Sequence, residues 1–254
     1  EIIRSVTRDA VWDHYRQHYV PAGLIVTAAG NVHHETVCAL VADALVTGGW
    51  DLTGEVAPAS RRDPLAPLDA ALVPEVVVTR DLEQSHVLLG SRGYRAADER
   101  RSTLSVFNAI LGGGMSSRLF QEIREKRGLT YAVYSFGAPN AETGVWGMYA
   151  ACNPRAADEV ERLLGGELER MAEGVTAEEL EKAKGQIAGT TVLRLEDSYS
   201  RMSRLGKSEL VFGELWSIGE ALDEMRAVTA DQVMGLAADL SSRTRTRVRV
   251  GPAI

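Results

Sequence analysis

Cysteine is almost absent from this sequence: Cys38 and Cys152 are the only two among 254 residues, far apart and each inside an apolar run. So few thiols exclude a disulfide framework and a cysteine-built metal cluster, and the pair reads as two buried, reduced thiols in a cytoplasmic protein. Long apolar runs are missing as well. None approaches the roughly 18 to 20 residues that span a bilayer, and Glu1-Ile2-Ile3-Arg4 has none of the regions of a signal peptide. Positive charge is in short supply too. Lys and Arg number 28 against 35 Asp and Glu, for a net charge of -7, and they are scattered along the chain. No electropositive stripe for a phosphate backbone can be built from them, so neither nucleic acid nor membrane is expected as a partner. The chain also lacks an initiator methionine, which reads as a start inside a longer product.

What is present is the composition of an ordinary globular protein, with 45% apolar and 25% charged residues and enough length for a substantial core. Thr7-Arg8-Asp9 opens a helical pattern carrying Val11, Trp12, Tyr15 and Tyr19, which Pro21 and Gly23 end. A strand is predicted over 24–29 and a helix over 33–46 with Val37, Leu40, Val41 and Ala44 on one face. From about residue 48 the periodicity is lost and Pro58, Pro64, Pro67 and Pro74 collect, which is linker composition. Beyond it, strands are predicted over 75–80, 86–90, 131–138, 144–152 and 245–250. Helices are predicted over 98–111, 117–126, 154–172, 177–195, 198–212, 214–227 and 230–240. The expected class is α+β, an antiparallel-rich sheet with helices packed on one side. The domain organisation expected is an N-terminal tail over 1–50, a linker over 51–74 and a main domain over 75–254.

An internal repeat relates the two ends. Thr7-Arg8-Asp9-Ala10-Val11 starts a helix leading to a strand that ends at Gly30, and Thr229-Ala230-Asp231-Gln232-Val233 starts a helix leading to a strand that ends at Gly251. On this reading the chain holds the tail of one repeat and most of a second.

The most distinctive segment is the glycine run Gly112-Gly113-Gly114 followed by Met115-Ser116-Ser117-Arg118 and a helix that Gly128 terminates. Glycines allow a tight turn or a close backbone approach. Arg118 falls in the first turn of that helix, where a cation opposes the helix dipole, so a specific partner is expected for it. The run follows a helix instead of a strand and matches no phosphate-binding loop, which argues against a nucleotide.

Histidine offers little for metal binding. His14-Tyr15-Arg16-Gln17-His18 has the spacing of a helical metal pair, but Gln17 stands where a general base would be needed and a neutral amide cannot take a proton from water. The same two histidines are explained as part of a helix face with Val11 and Tyr15. His33 and His34 point in different directions on a helix, His86 stands alone, and Cys152 has no histidine near it in the sequence.

The segment from Gly112 to Tyr131, with the strand pair after it and the Asn153-Pro154 turn, resembles the C-terminal half of the pitrilysin and mitochondrial processing peptidase family of zinc metallopeptidases. The likeness runs over essentially the whole chain, residues 1–50 resembling the end of the family's zinc-bearing N-terminal half. Its most specific feature is Arg124 ahead of Gly128-Leu129-Thr130-Tyr131. The resemblance implies that Arg124 grips a peptide carbonyl and that the Tyr131 hydroxyl stabilises the oxyanion formed when water adds to it. It implies substrate contacts at Gly113, Gly114 and Arg118 as well.

The family's His-x-x-Glu-His motif is absent from this sequence. The resemblance therefore implies no metal site in this chain and a zinc in the intact enzyme, held by the missing N-terminal half or by a zinc-bearing partner chain. The chain is then expected to be inactive alone, with peptides as substrate. Two alternatives stand beside this reading: a non-catalytic partner subunit of a split peptidase, and a structural assembly homologue. A detached half would expose apolar surface, so a homodimer is expected.

Overall fold

The computed structural model of the chain describes residues 2–53 and 73–253. In chain order the elements are helices α1 (Ile2–Ser5), α2 (Arg8–His18) and α3 (His34–Thr47), strands β1 (Glu75–Thr79) and β2 (Ser85–Arg92), and helix α4 (Arg101–Gly112). A π-helical turn over Phe120–Glu125 comes next, then strands β3 (Thr130–Pro139) and β4 (Gly144–Cys152). Helices α5 (Ala157–Glu173), α6 (Ala177–Arg194), α7 (Ser198–Val211), α8 (Ile218–Arg226) and α9 (Ala230–Ser242) follow, and strand β5 (Thr246–Gly251) closes the chain. The predicted linker falls largely on 54–72, outside the described residues.

These elements divide into two compact units, one formed by residues 2–53 and 193–215, the other by 73–192 and 216–253. The larger unit holds a five-stranded sheet in the order β1-β5-β2-β4-β3. Every pairing is antiparallel except β1 with β5, which is the α+β architecture expected.

Alternation along the strands decides which face is covered. Val87, Leu89, Val133, Trp146, Met148 and Ala150 point to one side and join a core with Phe107 and Leu111 of α4, Leu164 and Leu168 of α5, and Leu236 and Leu240 of α9. Trp146, the largest fully buried side chain, meets the edge of Phe107 at 5.7 Å and donates its indole N–H to Asn108 at 3.0 Å. That bond satisfies the one polar atom which burial of a ring worth about 2–3 kcal/mol would otherwise strand. The opposite side chains, His86, Leu88, Tyr134, Phe136 and Tyr149 among them, stay partly exposed.

Capping chemistry sets several helix starts. Thr7 accepts from the Ala10 N–H and Thr229 from the Gln232 N–H, each at 3.2 Å, so the two threonines of the internal repeat are N-caps alike. In the larger unit the repeat's helix leads into β5, which lies between β1 and β2.

In the smaller unit the outcome differs from expectation. Leu24–Ala29 was predicted to be a strand, but it pairs with no other strand among the described residues. It is held instead by contacts such as the Thr27 hydroxyl donating to the Met202 carbonyl at 3.2 Å. A strand is a paired object, and apolar patterning cannot supply the pair. The same cause corrects the reading of Cys38 as buried: it is exposed on α3, none of whose residues is buried.

Candidate functional site

Helix α4 ends where β3 passes close beneath it. A Cβ on Gly112 would lie 2.2 Å from the Ser135 nitrogen, and one on Gly113 would lie 2.5 Å from the Ala109 Cα, so the run accommodates backbone against backbone. Gly114 is open apart from the Gln186 side chain at 3.3 Å. Gln186 also donates to the Gly113 carbonyl at 2.9 Å, which ties the loop to α6.

Arg118 has the specific partner that its place against the helix dipole requires. Its Nε and Nη2 donate to the two carboxylate oxygens of Glu179 at 2.6 and 2.8 Å, and Nη2 also donates to the Gly174 carbonyl at 2.7 Å. The guanidinium, through hydrogen bonds, is the chief reason the Glu179 carboxyl is lowered to about 2. The sequence alone does not point to Glu179 as this partner. Thr176-x-x-Glu179 is a legible helix-start signature, with the Thr176 N–H donating to Glu179 at 2.9 Å, but nothing local reveals that the same carboxylate serves an arginine far away in the sequence.

The helix after Arg118 is wound wide. The Lys126 N–H bonds the Gln121 carbonyl, five residues back, which defines the π turn, and Gly128 then reverses the chain at φ +63°. Strand β3 begins with a bulge: Thr130 pairs with Cys152 and Ala132 with Ala151, which leaves Tyr131 the extra residue. A bulge re-aims a side chain, and Tyr131 is 76% exposed.

The wide turn and the bulge bring Arg124 and Tyr131 together. Arg124 Nη1 donates to the Tyr131 carbonyl at 2.8 Å, and the guanidinium carbon lies 4.7 Å from the Tyr131 ring centroid and 4.6 Å from that of Phe120. The guanidinium therefore lies over two rings, is anchored through Nη1, and has a Glu125 carboxylate oxygen 4.0 Å from its Nε. Its side chain keeps 34% of its surface, so donors remain available to a ligand, and the Tyr131 hydroxyl is open to solvent.

The remaining histidines and cysteines are also placed. The His14 and His18 rings lie 4.3 Å apart on exposed α2, and His34 Nε2 lies 3.5 Å from the Cys38 sulfur. No three His, Cys, Asp or Glu side chains among the described residues are grouped as metal ligands, so the donor set present does not fit zinc. Cys152 is buried, and burial pushes its thiol up, away from nucleophilic use. His86, solitary in the sequence, is not solitary in the fold: its Nδ1 shares a 2.7 Å hydrogen bond with the Tyr149 hydroxyl.

An α+β unit with helices on one sheet face, the other face uncovered by them and an Arg–Tyr pair at the edge strand, defines the class of fold. The chain belongs to the peptidase M16 inactive domain family, whose model matches residues 5–187. It is 42% identical over 253 residues to an uncharacterized zinc protease of Streptomyces coelicolor, covering 99% of this chain and 55% of that protein. It is 41% identical to an uncharacterized zinc protease of Mycobacterium tuberculosis, covering 98% of this chain and 56% of the relative.

The chain thus spans little more than half the length of these curated relatives. Among solved structures, the peptidase M16 inactive domain from Pseudomonas fluorescens superposes with a TM-score of 0.76 at 22% identity, over 98% of this chain and 59% of that one. A protease from Helicobacter pylori gives 0.78 at 18% identity, over 98% and 60%. At these identities the two structures show the fold.

Proposed function

We propose that this chain is the C-terminal portion of a zinc-dependent metalloendopeptidase that encloses and cleaves peptides. Residues 1–50 are the end of the zinc-bearing half, 51–74 a linker and 75–254 the second half. The observation that supports this most is the pairing of Arg124 with Tyr131 at the start of an edge strand, guanidinium to main-chain carbonyl at 2.8 Å and guanidinium to ring centroid at 4.7 Å.

In the intact protein a zinc would be held by residues outside this chain, where it would supply a Lewis acid and an activated water. This chain's residues handle the substrate. Arg124, lying over the Phe120 and Tyr131 rings, points its free N–H groups at a peptide carbonyl and fixes the orientation of the bond. As that carbonyl carbon becomes tetrahedral its oxygen takes negative charge, and the Tyr131 hydroxyl donates to it. A donor placed where charge develops is worth about 2.7–4 kcal/mol in the transition state.

Gly113 and Gly114 present main chain to the substrate, and Arg118 acts through its pair with Glu179 by holding that loop in place. The protein is cytoplasmic, and the isolated chain associates as a homodimer. A separate non-catalytic partner subunit would use the same two residues, but a relative of which this chain covers only 55% favours a single polypeptide.

The test is peptidase activity of the full-length gene product, with and without a zinc chelator, beside that of this 254-residue chain. The reading expects a chelator-sensitive peptidase and an inert isolated chain. A native product of only this size would point to the partner subunit. Absence of cleavage by the larger protein with zinc supplied would favour a structural role.

A further inference from the structure

The sheet face that no described helix of the larger unit covers has an uneven chemistry. Towards β1 and β5 it is aliphatic, with Val76, Val78, Val248 and Val250. Towards β3 it is aromatic with polar tips. Tyr134 and Tyr149 face each other directly across β3 and β4, their rings 5.0 Å apart, and Tyr149 reaches His86 on β2 through the 2.7 Å hydrogen bond. Phe136 closes one side, its ring so near Gly147 that a Cβ there would meet it at 2.9 Å. The result is a half-buried shelf across three strands.

Two polar atoms of the shelf lack a hydrogen-bond partner among the described residues: the Tyr134 hydroxyl, on a side chain 44% exposed, and His86 Nε2. Both atoms are within reach of water, and a ligand whose polar groups replace that water meets an aromatic platform with two hydrogen-bonding tips.

The position of the shelf is fixed relative to the proposed site. Tyr134 follows Tyr131 by three residues along β3, but the bulge makes Tyr131 an extra residue, so two to three residues of regular strand separate them, about 7–10 Å. A regular extended peptide carries no such extra residue, so a substrate whose scissile bond lies at Arg124 and Tyr131 and which runs beside β3 brings its second or third residue over the shelf.

We propose that Tyr134, Tyr149 and His86 form a specificity subsite that selects an aromatic side chain at the second or third residue from the scissile bond. The ring of that residue stacks on Tyr134 and Tyr149, and a tyrosine there also reaches His86 Nε2. The inference rests on the reading of Arg124 and Tyr131 given above and names the substrate class that the same site prefers.

The experiment uses the full-length protein and a set of peptides of one sequence, with Phe, Tyr, Ala or Asp placed in turn at each of the four residues on either side of the cleaved bond. Cleavage sites are mapped and kcat/KM measured for the parent protein and for Y134A, Y134F, H86Q and R124A, with Tm for each. The expected result is a preference of at least about 10-fold for Phe or Tyr over Asp at one residue, the second or third, on one side only. That ratio falls to near one in Y134A. Y134F keeps the Phe preference, and H86Q loses only the extra advantage of Tyr over Phe. Arg124-dependent cleavage with no preference at that residue, or with a preference intact in a folded Y134A, overturns this inference and leaves the reading of the site standing. Cleavage that R124A does not impair overturns that reading and this inference with it.

Discussion

Arg124 donates to the main-chain carbonyl of Tyr131 at 2.8 Å while its guanidinium lies 4.7 Å from the centre of the Tyr131 ring. The arginine therefore holds the strand start and is held by it. Neither residue could be placed this way by an ordinary helix meeting an ordinary strand. The π turn swings Arg124 round, and the bulge at Thr130 and Ala132 turns Tyr131 outward. Both irregularities store a small local cost at one place, a pattern that accompanies functional sites.

Arg118 and Glu179 form the second such relationship, and it has a pH signature. The Glu179 carboxyl is lowered to about 2 from its ordinary 4.5, chiefly by hydrogen bonds from Arg118. A depressed carboxylate stabilises the fold above its unfolded value and loses that stabilisation as pH falls through its folded value. Acid titration of stability should therefore show a loss developing below about pH 4.5 and continuing towards pH 2, and E179Q should flatten that part of the curve. At pH 7, E179Q should cost about 1–2 kcal/mol by thermal or urea unfolding, since the pair is partly solvated and screened. A parent and variant with identical acid limbs would show that the pair contributes nothing.

The three consecutive glycines should not be equivalent. G112A would put a methyl 2.2 Å from the Ser135 nitrogen and 2.9 Å from the Tyr134 carbonyl carbon, both backbone, so α4 or β3 must shift. A loss of about 3 kcal/mol or more, or failure to accumulate folded protein, is expected. G114A meets only the movable Gln186 side chain at 3.3 Å and should stay within about 0.5 kcal/mol of the parent. Unfolding midpoints of the two variants side by side check this ordering.

Thiol reactivity should separate the two cysteines. Cys38 is exposed, whereas Cys152 is buried and its thiol is pushed up by burial. Under native conditions a small alkylating reagent should modify one thiol quickly in this chain, with mass mapping to Cys38, and the second only after denaturant is added. Fast labelling at Cys152 would mean that the core around Met148 and Ala150 opens readily.

Much of this fold was legible in the sequence, for local reasons. Helix α9 and strand β5 were readable because Thr229 is a cap and the run from Arg245 to Val250 alternates, and β4 because Gly144 to Cys152 carries buried residues at its even positions. The likeness to a peptidase half pointed to Arg124 and Tyr131 together. What the sequence hid is what depends on distant chain. Leu24–Ala29 has a strand's composition but no neighbour to pair with among the described residues. Cys38 sits in an apolar run whose helix has no buried residue. Leu193–Leu215 groups with the N-terminal residues and not with the sheet, although nothing in its composition differs from the helices around it. The partner of His86, Tyr149, lies 63 residues further along the sequence, on β4, and only the register of β2 against β4 brings it near.

The most direct test of the account is the turnover of the full-length protein carrying Y131F, measured beside R124A and the parent at saturating peptide, with Tm recorded for each. Tyr131 is 76% exposed, so loss of its hydroxyl should leave Tm unchanged, while kcat should fall about 100-fold or more if that hydroxyl meets the developing oxyanion. A Y131F protein turning over within about twofold of the parent would contradict the role given to Tyr131 and, with it, the place of this chain in peptide cleavage.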